Sequence, residues 1–259
     1  MLTSDRMYHI GFGRADLGKP QPTLAFLSGD PNRASAIASN YLVHSRVLSE
    51  NRGLNSYLGL LPGGQSVISA TSGMGAPSMS IVVNELIQVG VNTIIRIGTC
   101  GSIQAHILAG MVVISSAALC RQGAAIDIAP VDYPAAADPF LTVALAQSAE
   151  KLALPHAVGI TASMDTFFEG QERTTSSANP QILRRLRGQT EEFRSLNIVN
   201  YEMEAGTLFK MAGVYGFRAA CICGVIAQRT EGESVVLEQK TVAVENAIRI
   251  AIDAAARFA

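Results

Sequence analysis

Residues 165–173 hold three kinds of side chain that together could bind a planar heterocycle. Phe167 or Phe168 could cover the face of a ring. Gln171 could donate to and accept from the edge of an imide, and Arg173 presents a rigid fork of donors to a carbonyl or a developing anion. Taken alone, the polar residues of this segment are more typical of a solvated loop.

Residues 200–204 place two carboxylates around a methionine, at Glu202, Met203 and Glu204. A carboxylate can accept hydrogen bonds from adjacent hydroxyl groups, such as those of a ribose. The same pattern is typical of the solvated start of a helix, with Met203 as ordinary core packing. For these two segments by themselves, the solvated interpretation is the safer one.

The elements that position these segments indicate an α/β fold, because short β-branched apolar runs alternate with longer helix-like stretches. Strands are predicted at residues 23–27, 66–72, 93–97, 111–117, 156–163 and 219–226, with 42–48 and 55–61 as an antiparallel pair. Helices are predicted at residues 77–89, from the N-cap Asp138 to 152, and at 241–258. Because no linker or repeat divides the chain, we expect residues 1–259 to form a single domain with a central mixed β-sheet and helices on both sides.

The bulk composition limits the classes of partner. Twenty basic residues against 21 acidic ones give a net charge of −1, which provides no overall positive field for nucleic acid or an anionic membrane. Hydrophobic residues make up 48% of the chain, which indicates extensive burial, and we expect a homo-oligomer. The first residues lack a signal-peptide pattern and no apolar run could span a membrane, so a cytoplasmic location is predicted.

The four cysteines show no zinc-type spacing, so no metal site is expected. Cys221 and Cys223 lie two residues apart in an apolar run. We interpret them as small core residues on one face of a strand.

Glycine-rich or polar clusters accompany the carboxyl ends of the predicted strands, where open α/β sheets bind ligands. Gly29 and Arg33 follow the first strand, while Arg96 and Thr99 lie at the end of the strand at 93–97. Because Arg96 sits within an apolar run, it either pairs with an internal carboxylate or faces an anionic ligand. Arginines clustered with a threonine hydroxyl would suit inorganic phosphate.

Five segments together resemble a known family. They are residues 29–33, 96–101, 165–173, 201–204 and 224–230. In this order and spacing they are similar to the hexameric purine/uridine nucleoside phosphorylases, and the resemblance extends from about His9 to the last predicted helix. The pair Gln171 and Arg173 is typical of the uridine branch of that family.

The resemblance implies reversible phosphorolysis, in which uridine and inorganic phosphate give uracil and ribose 1-phosphate. This is a pentosyltransferase reaction of pyrimidine salvage. Cleavage passes through an oxocarbenium-like state, so such an enzyme must stabilise a cationic sugar and an anionic leaving base. Bound phosphate is itself the nucleophile, so no cofactor is implied. The family assembles hexamers as trimers of dimers with shared active sites.

Carried over by position, the resemblance also implies the site residues. Phosphate would be held by Gly29, Arg33, Arg96 and Thr99, with Arg52 contributed by the adjacent subunit. The ribose would be held by Thr99, Met203 and Glu204, with His9 from that same subunit. The base would be held by Phe167, Gln171, Arg173, Glu202, Ile226 and Arg229, the last two in a loop at 227–234 or next to it. The residues expected to act in catalysis are Arg96, Gln171 and Arg173.

Some positions depart from the uridine branch and leave alternatives open. Cys100 stands where threonine is usual and resembles the purine branch, so a purine or broad-specificity phosphorylase is the first alternative. Residues 227–229 nevertheless lack the aspartate acid of that branch. Gly53 replaces a glutamate that serves a monovalent cation between subunits, so we do not expect that ion site. A non-catalytic nucleoside-binding protein is the alternative from another class, although the retained arginines argue against it.

Overall fold

The computed structural model describes residues 6–230 and 237–259 of the chain. Over these ranges, nine strands form one mixed sheet with helices on both sides, which confirms the predicted fold class. The strands are β1 (Leu24–Ser28), β2 (Val43–Ser49), β3 (Ser56–Leu60), β4 (Ser66–Thr71), β5 (Thr93–Ser102), β6 (Val112–Arg121), β7 (His156–Met164), β8 (Ile198–Glu202) and β9 (Arg218–Gln228). Residues 1–5, used above to judge a signal peptide, and residues 231–234 of the predicted closing loop lie outside the described residues.

The strands follow the order β2-β3-β4-β1-β5-β8-β7-β6-β9, and β9 pairs back onto β5. This closure depends on β5, whose first residues pair in parallel with β1 while Gly101 and Ser102 pair with β8. Strand β9 runs parallel to the whole of β5, with a register shift after Cys100 that marks a bulge. Strands β5, β8, β7, β6 and β9 therefore form a closed ring, which the sequence did not predict, and β1 to β4 extend it on one side.

Helices cover both faces of the sheet. They are α1 (Pro31–Tyr41), α2 (Ala76–Gln88), α3 (Gly123–Ile126), α4 (Pro139–Lys151), α5 (Gln189–Ser195), α6 (Ala205–Tyr215) and α7 (Leu237–Ala255), with short 3-10 helices at Arg14–Leu17, Asn51–Gly53 and Arg184–Leu186. One apolar cluster joins the sheet to α2 and α6, and it includes Val82 and Leu208. A second joins the opposite face to α1, α4 and α7, and it includes Leu145 and Ile250. None of the helices in the described part of the chain is long and apolar enough to cross a membrane.

The predicted elements are confirmed, and several extend beyond their predicted ends. Asp138 caps α4 by accepting hydrogen bonds from the N–H groups of Phe140 and Leu141. Cys221 and Cys223 are fully buried in β9, as predicted. Strand β8 was missed, because it is short and carries polar residues such as Asn200. Helix α6 begins directly after residues 200–204, whose pattern is typical of a helix start. Asn200 is nevertheless fully buried, where its Oδ1 accepts from the Thr161 hydroxyl at 2.8 Å.

The register of the parallel strands brings the predicted site residues to one edge of the sheet. Leu27 of β1 is opposite Arg96 of β5, which is in turn opposite Cys221 of β9. The segments that follow β1 and β9, together with the carboxyl half of β5, therefore lie beside one another. Strand β8 adds its own carboxyl end, because Tyr201 pairs with Gly101 of β5.

Candidate active site

A cavity of about 450 Å³ opens where these strand ends meet. Most of the site residues predicted from the sequence line it, namely Gly29, Arg33, Arg96, Thr99, Phe167, Gln171, Arg173, Glu202, Met203, Glu204 and Ile226. Sequence reasoning did not assign a role to Met74, Tyr201 and Lys240, which also line it. Tyr201 stands in one of the five recognised segments and Met74 in a glycine-rich turn after β4, so both had a signal, whereas Lys240 had none.

One end of the cavity carries two buried arginines. Arg33 projects from the first turn of α1, and its Nη1 donates to the carbonyl of Ile97 at 3.1 Å. Among the described residues, its Nε has no hydrogen-bond partner. Burial lowers the pKa of Arg33, and the positive charge of Arg96 lowers it further. This end of the cavity therefore favours an anion, which would relieve the repulsion between the two guanidinium groups.

Arg96 pairs with two internal carboxylates, one of the alternatives that the sequence left open, and it also lines the cavity. Its Nε lies 3.3 Å from Glu202 Oε2, and its Nη2 contacts Glu204 Oε2. Burial opposes the charge of Arg96, but Glu204 and Glu202 outweigh burial and hold the pKa of the guanidinium above its usual range. One positive charge thus links the anion end of the cavity to the acidic pair.

Glu202 is the most enclosed carboxylate of the site. Its oxygens accept from the backbone N–H groups of Glu204 at 2.8 Å and Ala205 at 2.9 Å, and from the Ser163 hydroxyl. Burial raises the pKa of Glu202 to about 7, opposed by the charge of Arg96 and reinforced by that of Glu204. A helix does start after residues 200–204, but the interpretation of this start as solvated is wrong, because Glu202 and Glu204 are only 3% and 4% exposed.

This raised pKa predicts a pH-dependent cost of folding. The value for folded Glu202, about 7, lies above the ordinary 4.5, so the native state holds a proton that the unfolded chain releases. Below the ordinary value the buried carboxyl carries no penalty, and the native state becomes less stable as pH rises through the folded value. In thermal melts without phosphate, Glu202→Gln should therefore gain in melting temperature relative to wild type between about pH 5 and pH 8. A difference that does not change over this range would contradict the prediction.

The other end of the cavity carries the aromatic and amide groups of residues 165–173. The guanidinium of Arg173 stacks over the ring of Phe167 with 4.1 Å from Cζ to the centroid. Gln171 Oε1 lies 3.4 Å from Arg173 Nε. Gln171 and Arg173 are only 3% and 4% exposed, so the solvated-loop interpretation of these two residues is wrong. Gln189 supports the loop by donating to the carbonyl of Gly170 at 2.7 Å.

Three predicted site residues do not line the cavity of their own subunit. Arg229 is buried next to it, where its guanidinium stacks over the Tyr201 ring at 5.2 Å. His9 contacts Glu85 of α2 instead, with its Nδ1 2.6 Å from Glu85 Oε1. Arg52 lies 5.8 Å over the ring of Tyr8, the residue before His9. His9 and Arg52 therefore lie together on the subunit surface, apart from the cavity.

Three buried cysteine thiols, those of Cys100, Cys221 and Cys223, belong to the two strands that meet at Arg96. Cys100 lines the cavity, and burial raises the pKa of its thiol well above the usual value. The sulfur atoms of Cys221 and Cys223 are 3.7 Å apart. A Cβ added at Gly98 would lie 2.8 Å from the sulfur of Cys223 and 2.9 Å from Nη2 of Arg96, so this glycine lets the arginine pack against the thiols.

Comparisons with known proteins agree with this geometry. The model of the phosphorylase superfamily matches residues 23–257. A uridine phosphorylase from Salmonella typhimurium is 38% identical over 258 residues, which cover 99% of this chain and 100% of the relative. A uridine phosphorylase from Haemophilus influenzae is 40% identical over 88% of each chain. A DeoD-type purine nucleoside phosphorylase from Bacillus velezensis is 31% identical over 87% of this chain and 91% of the relative.

The family match covers most of the chain, and several relatives match at nearly full length. Both findings agree with the resemblance carried by the five segments. The chain belongs to the phosphorylase superfamily.

Proposed function

We propose that this chain is a pentosyltransferase that catalyses the reversible phosphorolysis of uridine to uracil and ribose 1-phosphate. The observation that carries this proposal is one cavity with Gln171 and Arg173 buried at one end and Arg33 and Arg96 at the other. The carboxylate of Glu204 lines the same cavity and contacts Arg96. Sequence identities of 37–40% to uridine phosphorylases of several organisms support the same activity.

The proposed roles divide the lining of the cavity into three subsites. Arg33 and Arg96 bind phosphate, together with the backbone of Gly29 and the hydroxyl of Thr99. The ribose hydroxyls bind Glu204 and Thr99, with Met203 packed against the sugar. The base packs on Phe167 and binds the residues Gln171 and Arg173, with Glu202, Ile226 and Arg229 closing this end.

In the proposed reaction, a phosphate oxygen forms a bond to C1′ of the ribose as the bond from C1′ to uracil breaks. The electron pair of the broken bond leaves with uracil, and Arg173 stabilises the negative charge that develops on the base. Phosphate stabilises the positive charge on the sugar. Because phosphate is already an anion, the enzyme contributes mainly by holding the reactants in line.

The proposed reaction needs inorganic phosphate as a co-substrate and no cofactor. No residue is assigned to a metal. A monovalent cation between subunits is not proposed, because Gly53 offers no carboxylate. We further propose that the enzyme acts in the cytoplasm, in uridine catabolism and salvage, with residues 1–259 as one catalytic domain.

The placement of His9 and Arg52 supports a homo-oligomer with shared sites. Asn51 holds this surface together, because its Nδ2 donates to the carbonyls of Tyr8 at 2.9 Å and His9 at 2.8 Å. Neither His9 nor Arg52 lines the cavity of its own subunit. We propose that they complete the cavity of a neighbouring subunit, with His9 at the 5′-hydroxyl and Arg52 at phosphate, within a hexamer built as a trimer of dimers.

Shared sites predict that two inactive variants restore one another. Arg173→Ala disables the cavity of its own subunit, whereas Arg52→Ala disables that of the neighbour. A mixed dimer then contains one intact site, so co-expression in equal amounts should recover about a quarter of wild-type activity. Uridine phosphorolysis by the purified mixture measures this. Activity no greater than the average of the two variants would contradict shared sites.

The purine or broad-specificity alternative rests on Cys100, and its test is a substrate panel at fixed phosphate. Uridine, 2′-deoxyuridine, thymidine, inosine and adenosine are compared by kcat/KM. We expect the uracil nucleosides to be cleaved and the purine nucleosides to react at least about 100-fold more slowly, because the purine ring would leave buried polar groups unpaired. Faster cleavage of inosine or adenosine than of uridine would overturn the assignment of the base. Binding of uridine without any turnover would favour the nucleoside-binding alternative.

A further inference from the structure

Helix α6 begins directly after Glu204, the proposed ribose ligand, and this start is built in an unusual way. The first N–H groups of any helix lack partners within the helix, and the side chain of the N-cap residue usually accepts from the second or third of them. Glu204 occupies the N-cap position of α6, but its side chain makes no capping hydrogen bond. Its Oε1 instead accepts from the N–H of Gly75, just before α2, at 2.6 Å.

Other side chains do the capping, beginning with Glu202, which accepts from the N–H of Ala205 at 2.9 Å. The Ser163 hydroxyl of β7 accepts from the N–H of Gly206 at 2.8 Å. Gln122, which follows β6, accepts from the N–H of Thr207 at 2.8 Å through its Oε1. Thr207 is the third residue of α6, so its N–H is one that an N-cap side chain would ordinarily bind.

Gln122 also binds the other side of the same turn. Its Nε2 donates to the carbonyl of Met203 at 2.5 Å, while its Oε1 accepts both the N–H and the hydroxyl of Thr207, each at 2.8 Å. The side chain is only 2% exposed, so water does not compete for these bonds. One amide therefore ties the residue before Glu204 to the third residue after it.

We propose that Gln122 is a positioning residue that sets the preference for ribose over 2′-deoxyribose. By occupying the N–H of Thr207, Gln122 removes the partner that would draw Glu204 back onto its own helix. The Glu204 carboxylate thereby stays on Arg96 Nη2 and the N–H of Gly75, where it lines the cavity and can accept from the 2′-hydroxyl. This inference rests on the proposed function, because it takes Glu204 as the ribose ligand. Gln122 itself lines a neighbouring cavity and not the candidate active site.

The kinetic test compares uridine with 2′-deoxyuridine at saturating phosphate. Gln122→Met keeps the length of the side chain but removes the amide, so Glu204 can turn to cap α6. We expect the ratio of kcat/KM for uridine to that for 2′-deoxyuridine to fall about ten-fold, the value of one charged hydrogen bond. Gln122→Glu retains an acceptor for Thr207 and should keep most of the ratio.

The matched control is Gln189→Met. Gln189 is another buried glutamine that donates to a backbone carbonyl, but it supports Gly170 in the base loop. It should leave the ratio for the two sugars within about two-fold of wild type. If Gln122→Met lowers kcat/KM equally for both nucleosides, Gln122 has only a structural role and the proposal is overturned.

A structural measurement separates this proposal from the proposed function. The ligand-free crystal structure of Gln122→Met should show the Glu204 carboxylate moved from the N–H of Gly75 to that of Thr207. An unmoved Glu204 would overturn the proposal, whatever the enzyme cleaves. Absence of uridine cleavage by the wild type would instead contradict the proposed function and leave this structural outcome decisive. If Gln122→Met does not fold, Gln122→Asn provides both measurements, because its shorter amide cannot span Met203 and Thr207.

Discussion

Arg173→Ala should lower kcat/KM for uridine by about 30- to 1000-fold, equivalent to roughly 2–4 kcal/mol of transition-state stabilisation. Arg173 stacks on Phe167 and is buried, so its donors are already oriented before the substrate enters. The negative charge on uracil develops only as the glycosidic bond breaks. Removing the Arg173 guanidinium should therefore lower kcat as well as raise KM, because its interaction with the base is strongest in the transition state.

Arg218→Ala is the matched control for that variant. Arg218 also lies over an aromatic ring, that of Phe258 at 5.5 Å, but it is exposed at the start of β9 and does not line the cavity. Its kcat/KM should stay within about two-fold of wild type. Steady-state kinetics on both variants measure the difference. Near wild-type kcat/KM in Arg173→Ala would show that the base does not bind at this end of the cavity.

Arg33→Met should raise the KM for phosphate about 10- to 100-fold, since each hydrogen bond to a charged group contributes about 1.5–3 kcal/mol. The same variant should unfold at the same temperature as wild type, or at a higher one, when phosphate is absent. Burial and the charge of Arg96 both oppose the charge of Arg33, so removing it relieves an unfavourable interaction in the empty site. The combination of weaker phosphate binding and undiminished stability distinguishes a ligand residue from a structural one.

Melting temperatures with and without phosphate provide the second readout for Arg33. Phosphate should raise the melting temperature of wild type, because a ligand that binds only the folded state stabilises it. This shift should be lost in Arg33→Met. Arg257→Met is the control, since Arg257 is exposed and its Nη1 bonds to Gln147 at 2.6 Å, distant from the cavity. An unchanged KM for phosphate in Arg33→Met would remove Arg33 from the phosphate subsite.

Much of the sheet could be predicted because its strands are apolar and β-branched, and the helices could be predicted where proline and aspartate mark their starts. Strand β8 could not be predicted in this way, since Asn200 and Glu202 are polar and buried within it. Their partners, Thr161 and Ser163, lie on β7, the preceding strand of the chain, which pairs with β8 in the sheet. The polar residues of β8 are recognisable as strand residues only once this pairing is known.

The same reason limited the prediction of the site. The apolar neighbours of Arg96 indicated either an ion pair or a ligand, and only the fold shows that Glu202 and Glu204 provide the ion pairs inside the cavity. Gln122 gave no signal at all, because its two partners belong to a turn about 80 residues later in the chain. The proposed ligand residues belong to recognisable segments here, whereas the proposed positioning residue Gln122 is identified only by its hydrogen bonds.

Release of uracil from uridine by the purified protein, measured with and without inorganic phosphate, is the most direct test of the proposed reaction. If the arginine end of the cavity binds the nucleophile, uracil release should require phosphate and should yield one ribose 1-phosphate for each uracil. Release that proceeds at the same rate without phosphate, with free ribose as the product, would show that water is the nucleophile and would contradict phosphorolysis.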